Sequence, residues 1–320
     1  MSVYFKIRET LRLNPCVQRL VYTSESLRYA LRSSLSDHIR RRADAVPALA
    51  NGVAVCLRIK DEAPFLAEWL DYHAAAGIEH FFIYESFSSD NFREVLQPYV
   101  DRGTVTLISD WPYVPVTPYA ERDCILRALN RFEWVGFLDV DEFLAIADGS
   151  GIGEFLSRFP DAPAVAFHWF MYGSSGHKIK PAGSVIQAYT FRCARPDQHV
   201  KVFVRPGQVT HCRNPHSWQY KSMRHAISEA GQPIYGSFSM KRIVRNAWIA
   251  HFFCKSEDEY RAKMTKREDC DRVAQKFKRR SEESLRKTLV ECNQVEDLSV
   301  QNYYRRRCEA LSISPELLSQ

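Results

Sequence analysis

Apolar residues between positions 53 and 138 alternate between short continuous runs and helical spacing. Four short, almost wholly apolar runs predict strands that are covered on both faces: Val53–Ile59, Glu79–Glu85, Gly103–Ser109 and Trp134–Leu138. Apolar residues at helical spacing predict the helices between them: Ala63–Ala76, a helix from Ser88-Ser89-Asp90 to near Pro98, and Tyr119–Arg131. This alternation predicts a parallel sheet with helices on both faces.

The pattern becomes irregular after Gly149. Four further apolar runs predict strands: Ala164–Phe170, Val185–Cys193, Val200–Arg205 and Trp248–Phe253. The long stretches between them are rich in Gly, Ser, Pro and His, and loops of such length are often functional. From Ser256 onward the mixed charges predict helices with a solvated face.

These patterns together predict an α/β fold with a mostly parallel central sheet flanked by helices and followed by C-terminal helices. We expect three parts: a basic N-terminal extension at residues 1–50, the α/β domain at 51–265, and a helical extension at 266–320. The composition agrees with a folded protein, since 45% of the 320 residues are hydrophobic and 26% are charged. It excludes a chain that is mainly disordered.

The net charge of +6 is concentrated at the N-terminus, where residues 1–50 hold nine Lys and Arg against four Asp and Glu. Such an arm can bind anionic partners, although so modest a surplus is also typical of a solvated extension. The nine cysteines contain no Cys-x-x-Cys pair, which predicts reduced thiols in a reducing compartment and argues against a zinc module. No apolar run is long enough for a transmembrane helix. We therefore expect a cytoplasmic protein, with peripheral membrane contact through the basic arm and no nucleic acid as partner.

The strongest candidate site is the segment Leu138–Phe143, directly after the fourth predicted strand. Side chains two apart in an extended chain point the same way, so Asp139 and Asp141 can present their carboxylates to one point. Ligands of open α/β sheets bind beyond the carboxyl ends of the strands. Two carboxylates there suit Mg²⁺ or Mn²⁺ bound to a diphosphate. An isolated Asp-x-Asp can also do no more than end a strand.

Other segments carry chemistry less specifically. The stretch Arg58–Glu62 is either a salt-bridged helix start or a set of groups that face a nucleotide. The Gly173–His177 loop lets the backbone approach a ligand closely. His211, His216 and His251 are each candidates for a third metal ligand, and spacing does not choose between them.

Several of these segments, in this order, resemble glycosyltransferase family 92 and related family-2-like domains. The resemblance begins with LRIKDEAPFLAEWLDYHAAAGIEHFFIYESFSSDN at Leu57–Asn91 and continues with WVGFLDVDEFL at Trp134–Leu144. It includes WFMYGSSGH, KVFVRP, His216 and HFFCKSEDEY, and it covers roughly residues 52–265. One departure is Asp61, where the family usually has Asn. Four ordered motifs are far more specific than any one of them.

The resemblance implies a GT-A-like fold that binds a nucleotide-sugar through the Asp-x-Asp motif and a divalent cation. It makes Asp139 and Asp141 the ligands of the metal and the diphosphate, with His216, or alternatively His251, completing the site. It places three residues in the nucleotide pocket: Arg58, Lys60 and Glu62. Lys201 and Arg205 would balance phosphate charge.

The expected reaction is transfer of a sugar from a nucleoside diphosphate sugar, most simply a UDP-sugar, to a hydroxyl of a glycan or glycolipid acceptor. An inverting enzyme also needs a general base, for which His177 and Asp197 are candidates. Two other functions stay open. One is a phosphohydrolase with Asp139 as nucleophile, and the other is a non-catalytic protein that binds polyanions or membranes through its basic arm.

Overall fold

A computed structural model describes residues 52–109, 111, 119–270 and 281–318, and of residues 264–270 the backbone alone. The basic extension predicted at residues 1–50 lies outside the described residues. The strands, in chain order, are β1 Val53–Ile59, β2 His80–Glu85, β3 Val105–Ile108, β4 Trp134–Phe137, β5 Glu142–Ile146, β6 Ala164–Met171, β7 Phe191–Arg192, β8 Val200–Val204, β9 Val209–Asn214, β10 Ser217–Tyr220, β11 Ala226–Ser228, β12 Pro233–Ile234, β13 Ala247–His251 and β14 Val295–Glu296. The α-helices are α1 Ala63–Ala75, α2 Phe92–Asp101, α3 Tyr119–Ala128, α4 Ile152–Ser157, α5 Val185–Ala188, α6 Glu257–Cys270, α7 Glu282–Glu291 and α8 Ser299–Leu311.

The central sheet has the strand order β12-β11-β6-β8-β4-β1-β2-β3, and β13 pairs with β6 and β5. Strands β1 to β4 are mutually parallel, as their alternation with helices predicts. Strand β8, however, lies antiparallel between β4 and β6. The fold class is thereby confirmed as α/β with a mostly parallel central sheet, in which β8 is an antiparallel member. Because β8 runs backwards, its first residues lie at the carboxyl edge of β4 and β6.

Close packing between β4 and β8 depends on a glycine. Gly136 faces Phe203 across the two strands, and a Cβ built on Gly136 would lie 2.5 Å from the Phe203 ring. That ring is fully buried and packs edge-to-face on Phe167 at 5.5 Å between ring centres. The ring therefore has no solvent space into which it could move away from a larger residue at position 136.

Helix α1 attaches strand β5 to the sheet through three buried side chains. The indole of Trp69 donates to the Glu142 carbonyl at 2.9 Å, and the Tyr72 hydroxyl donates to the Leu144 carbonyl at 2.7 Å. His73 Nδ1 donates to the Trp69 carbonyl at 2.8 Å, and the Leu144 amide lies 3.4 Å from its Nε2. These contacts fix the strand that follows the Asp-x-Asp segment.

The last helix belongs to the same hydrophobic core. Tyr304 of α8 stacks on Tyr72, with 5.6 Å between ring centres, and the Tyr303 hydroxyl donates to the Ser150 carbonyl at 3.1 Å. Arg307 donates to the carbonyl of Ala75 at the end of α1. The C-terminal helix therefore covers the face of α1 and β5 instead of extending away from the domain.

Two predicted elements differ from the structure. The strand predicted over Val185–Cys193 is wrong: α5 takes its first half, and only Phe191–Arg192 pairs as a strand. Short apolar runs do not distinguish helix from strand, and here the Ser184 hydroxyl accepts from Gln187 while the Glu68 carboxylate accepts from Val185 and Ile186. The helix predicted from residues 88–90 to Pro98 begins at Phe92 and continues through Pro98 to Asp101.

No helix within the described ranges combines the length and apolar character needed to cross a lipid bilayer.

We predict that Gly136→Ala lowers the free energy of unfolding by about 1–3 kcal/mol, because the new methyl overlaps the buried Phe203 ring. Urea titration followed by circular dichroism measures the change. Gly207→Ala is the control, since a Cβ on Gly207 would meet no atom within 4 Å. Equal stability of the two variants would contradict this packing.

We also predict that His73 makes the protein sensitive to acid. Burial lowers the pKa of His73 from 6.5 to about 3, so below pH 6.5 the unfolded chain binds a proton that the folded chain does not. The free energy of unfolding therefore falls by about 1.4 kcal/mol for each pH unit. His211 and His216, with pKa values lowered to about 4 and about 3, act in the same direction. Urea titrations between pH 7 and pH 4 should therefore give His73→Gln a visibly shallower slope than the wild type; equal slopes would contradict the burial of a neutral His73.

Candidate active site

The Asp-x-Asp segment lies at the carboxyl edge of the sheet, between β4 and β5. The chain leaves β4 at Phe137, turns at residues 140–141 and enters β5 at Glu142. It is therefore not extended across the motif, and the two carboxylates contact different partners. Asp139 faces the start of β8, whereas Asp141 faces the end of β13 and helix α6.

Lys201 of β8 is a buried cation that joins two carboxylates. Its Nζ lies 2.9 Å from Asp139 Oδ2 and 3.1 Å from Glu142 Oε2, and only 1% of its side chain is exposed. Glu142 is fully buried and also accepts from the backbone amide of Asp139 at 2.9 Å. A buried charge is tolerated only when it is paired and hydrogen-bonded. Lys201 therefore holds the turn in place.

The charges of this group depend on one another. Burial raises the pKa of Glu142 well above its usual value, and Lys201 offsets the rise only in part. Burial alone would lower the pKa of Lys201, but Asp139 and Glu142 outweigh burial and raise it. Lys201 therefore carries its positive charge at physiological pH. About half of the Asp139 side chain remains exposed and accessible to a ligand.

Asp141 is surrounded by basic side chains. Lys263 Nζ on α6 lies 2.7 Å from Asp141 Oδ2, and His251 Nε2 at the end of β13 lies 3.4 Å from Oδ1. Burial alone would raise the pKa of Asp141, but Lys263 and His251 hold it well below its usual range. Asp141 is therefore a carboxylate throughout the physiological range.

A second lysine faces Asp141 from the segment after β13. Lys255 is almost fully buried, has φ +53°, and places its Nζ 3.1 Å from the centre of the Phe65 ring. Burial and Lys263 lower the pKa of Lys255 to about 8, against the opposing effects of Asp141 and Glu62. The site thus combines two lysines with the carboxylate of Asp141.

Trp169 at the end of β6 brings three histidines together. Its ring centre lies 4.8 Å from His199, 4.5 Å from His251 and 5.4 Å from His216. His216 Nδ1 donates to the Val200 carbonyl at 2.8 Å, and burial together with Lys201 lowers its pKa to about 3. His216 is consequently neutral and held against β8, while His251 is the histidine that contacts Asp141.

The Arg58–Glu62 stretch leaves β1 at the same edge. The Arg58 guanidinium lies 3.3 Å from Glu121 of α3. Asp61, at φ +53°, accepts from the backbone amide and the hydroxyl of Ser89 at 2.7 and 2.9 Å. Asp61 therefore connects the ends of β1 and β2. Lys60 is exposed and Glu62 is half-buried close to Lys255.

Three other predicted site residues are not brought to Asp139. Arg205 pairs with Glu133 and covers Trp134 at the amino edge of β4, opposite the Asp-x-Asp segment. His177 Nε2 faces the Ala188 carbonyl at 3.1 Å, in a loop whose backbone contacts the start of α6. Asp197 lies at the carboxyl edge but is hydrogen-bonded to His199.

The donors at this edge fit a divalent cation that takes its remaining ligands from a bound nucleotide and from water. Among the residues described, no three His, Cys, Asp or Glu side chains are gathered as a metal cluster. Asp141 and His251 nevertheless supply one carboxylate and one imidazole side by side, with His251 Nε2 3.4 Å from Asp141 Oδ1. Carboxylate and imidazole together suit Mn²⁺, whereas Mg²⁺ prefers oxygen alone.

Sequence reasoning missed five residues of this site: Glu142, Trp169, His199, Lys255 and Lys263. Glu142 and Lys201 do carry a signal, because each is a lone charge in an otherwise apolar strand. Lys263 carries none. It lies in a highly charged helix in which a solvated lysine and a site lysine look alike.

Comparison with known proteins identifies the family of the chain. The family model described as Glycosyltransferase family 92 matches residues 51–289, about three quarters of the chain. The chain belongs to glycosyltransferase family 92. The match extends past residue 265 through most of α7, and it includes every residue at the carboxyl edge described above.

Two curated family 92 proteins that this chain resembles come from plants. A rice protein (Oryza sativa subsp. japonica) is 36% identical over 163 residues, which are 49% of this chain and 27% of the relative. An Arabidopsis thaliana protein is 28% identical over 222 residues, which are 63% of this chain and 38% of the relative. The family 92 chain therefore spans only about a quarter to two fifths of the length of these relatives.

Solved structures are less similar. A mannosyltransferase from Pyrobaculum calidifontis, in complex with GDP-Man and Mn²⁺, is 17% identical with a TM-score of 0.30 and covers 47% of this chain and 46% of its own. S. aureus TarS with UDP-GlcNAc is 10% identical with a TM-score of 0.37 and covers 67% and 65%. Similarity this slight assigns no ligand to the family 92 chain.

We predict that Lys201→Met lowers the free energy of unfolding by about 3–5 kcal/mol, because it leaves the carboxylate of Glu142 buried without its cation. Chemical denaturation measures the loss. Adding Glu142→Gln to this variant should restore at least 1 kcal/mol of it, roughly the desolvation penalty of the unpaired charge.

Lys287→Met is the matched control, since Lys287 is exposed and lies 3.7 Å from Glu291 on the surface. Its effect should stay within about 0.5 kcal/mol. A Lys201→Met protein as stable as this control would contradict the buried charge group.

Proposed function

We propose that this chain is a metal-dependent glycosyltransferase that moves a sugar from a nucleoside diphosphate sugar, with UDP as the leaving group, to a hydroxyl of a glycan or glycolipid. Membership of family 92 supports sugar transfer in general. The observation that carries the proposal is Asp141, which lies at the carboxyl edge of the sheet between His251, Lys263 and Lys255 with 13% of its side chain exposed. A carboxylate among cations at this edge suits a metal–diphosphate site.

The residues that would hold the metal are Asp141 and His251, with Asp139 on the exposed side of the turn. Once bound, a cation such as Mn²⁺ would neutralise charge on the departing diphosphate. Lys263 and Lys255 add fixed positive charge on the same side, in surroundings largely closed to water. Charges that are already in place need no reorganisation when the sugar–phosphate bond breaks.

The nucleotide would enter beside the ends of β1 and β2. Arg58 and Glu62 leave β1 next to the Asp-x-Asp turn, and the contacts of Asp61 with Ser89 give this entrance a fixed shape. Lys60 is exposed at its rim. We assign these side chains to nucleotide binding, and Lys201 to holding Asp139 in position.

The setting of the reaction is also part of the proposal. Reduced thiols are consistent with a reducing compartment, since seven cysteines in the described ranges form no disulfide. The basic residues 1–50 would attract an anionic membrane surface, and a glycolipid acceptor would lie there. We therefore place the enzyme in the cytoplasm, peripheral to the inner face of the membrane.

The proposal predicts that UDP binds only with a divalent cation. Calorimetric titration of UDP should show binding with Mn²⁺ and none after EDTA, and GDP is titrated in the same way if UDP fails. Asp141→Asn and His251→Gln should each weaken nucleotide binding at least tenfold, a cost of about 1.4 kcal/mol or more, because each removes a metal ligand.

Asp101→Asn is the matched control: the same chemical change at an exposed position at the end of α2. It should leave the dissociation constant unchanged. Metal-independent binding, or binding that survives Asp141→Asn, would contradict the proposal. Failure of both nucleotides would favour a protein that binds polyanions through its basic arm.

A further inference from the structure

We propose that His199 is the general base of sugar transfer and that Asp197 is its positioning residue. The inference rests on the proposed function and extends it to the acceptor hydroxyl. Both residues lie directly before β8, two positions from the buried Lys201, at the carboxyl edge of β4 and β6. They therefore share an edge with Asp139 and Asp141.

Asp197 fixes the orientation of the His199 ring. Its Oδ1 accepts from the backbone amide of His199 at 2.8 Å and lies 2.5 Å from His199 Nδ1. Burial alone would raise the pKa of Asp197, but the hydrogen bonds from His199 outweigh burial and lower it. Asp197 is thus an ionised acceptor, which keeps the proton on Nδ1 and leaves the lone pair on Nε2.

Aromatic rings hold the imidazole on two sides. Trp169 stacks on His199 with 4.8 Å between ring centres and 19° between the planes, and Phe238 approaches edge-on at 4.4 Å. The backbone of Asp197 is itself anchored, since its amide donates to the Trp169 carbonyl at 2.7 Å. About 28% of the His199 side chain nevertheless remains exposed. The ring is therefore held firmly while part of it can meet a bound molecule.

The position of Trp169 places the base beside the proposed leaving-group site. The same indole that stacks on His199 meets His251 at 4.5 Å, and His251 lies against Asp141. One aromatic ring thus separates the imidazole from the residues that would hold the diphosphate. A sugar bound across the edge of this ring would have the acceptor on the His199 side and the leaving group on the His251 side.

The other charged or titratable groups near His199 do not prevent it from acting as the general base. Arg242 contacts the Pro196 carbonyl and acts on Asp197, and His168 Nδ1 lies 3.0 Å from the Asp197 carbonyl. His216, 6.3 Å away between ring centres, is neutral because of its burial and its proximity to Lys201.

Neither base candidate from the sequence is as well placed. Asp197 already accepts two hydrogen bonds from His199 on one carboxylate oxygen. His177 Nε2 faces the carbonyl of Ala188, an acceptor, so this nitrogen must carry a proton and cannot take another. The pair of Asp197 and His199 instead has the arrangement of an oriented general base.

The proposed step transfers one proton to the base and one sugar to the acceptor. The acceptor hydroxyl gives its proton to His199 Nε2, and its oxygen forms a bond to the anomeric carbon of the donor sugar. The bond between that carbon and the phosphate oxygen breaks, and the nucleoside diphosphate departs with the electron pair. Attack opposite the leaving group inverts the anomeric configuration.

The test compares His199→Ala with the wild type in releasing nucleoside diphosphate from UDP-glucose, UDP-galactose, UDP-GlcNAc and GDP-mannose, with water and free sugars as acceptors. We expect kcat to fall about 10²–10⁴-fold, the usual contribution of a general base. The dissociation constant for UDP with Mn²⁺ should stay within threefold. Added imidazole should restore turnover at least tenfold, which a purely structural role would not allow.

His225→Ala is the matched control, because His225 also packs on an aromatic ring, that of Tyr235, but lies next to β11 at the amino edge of β6. Neither its turnover nor its response to imidazole should change. Asp197→Asn should lower kcat without a change in the KM for the donor. Wild-type turnover in His199→Ala, or a loss that imidazole does not rescue in a folded variant, would overturn the proposal.

Two further measurements keep the test decisive. If His199→Ala does not fold, His199→Gln replaces it. Turnover retained by that variant would refute the proposal that His199 is the general base. If no donor turns over, ¹⁵N NMR of the wild type decides, since a proton on Nε2 instead of Nδ1 would exclude the proposed role. Failure of the proposed function looks different, because the wild type would then bind neither UDP nor GDP with Mn²⁺.

Discussion

The arrangement of the site depends on one buried cation. Lys201 has almost no exposure, and its Nζ joins Asp139 to Glu142 at the carboxyl edge of the sheet. This contact is available only because β8 runs antiparallel between β4 and β6, which brings its first residues to the edge where the parallel strands end. Removing Lys201 would leave Glu142 buried without its cation, at a cost of several kcal/mol. The direction of one strand thus decides where the Asp-x-Asp segment lies.

The two sides of this turn have separate supports. On the Asp139 side, Glu142 starts β5, whose backbone is held by the buried tryptophan and tyrosine of α1. On the Asp141 side, Lys263 comes from α6 and His251 from β13. Trp169 links this second side to His199. A carboxylate that can hold a metal is therefore fixed by β13 and α6, which lie far along the chain from it, and Trp169 contacts both His251 and the proposed base.

Much of this could be predicted from the sequence. The apolar runs of β1, β2 and β4 match the structure to within about one residue, because strands covered on both faces leave a continuous apolar signal. The Asp-x-Asp segment was found because it directly follows such a run. The direction of β8 and the helix at Val185–Ala188 could not be predicted, since they depend on partners distant in the chain, such as Glu68 for the helix. Lys263 could not be identified as a site residue, because it lies in a helix with many similar charges.

The central claim is that Asp141 and His251 hold a metal on which a nucleoside diphosphate binds. A crystal soaked with UDP and Mn²⁺, with diffraction collected at the manganese absorption edge, tests it most directly. The account predicts an anomalous peak in contact with Asp141 and with the imidazole of His251, and density for a diphosphate on the side of Lys255 and Lys263. A peak elsewhere, or a diphosphate bound at this edge without manganese, would contradict it.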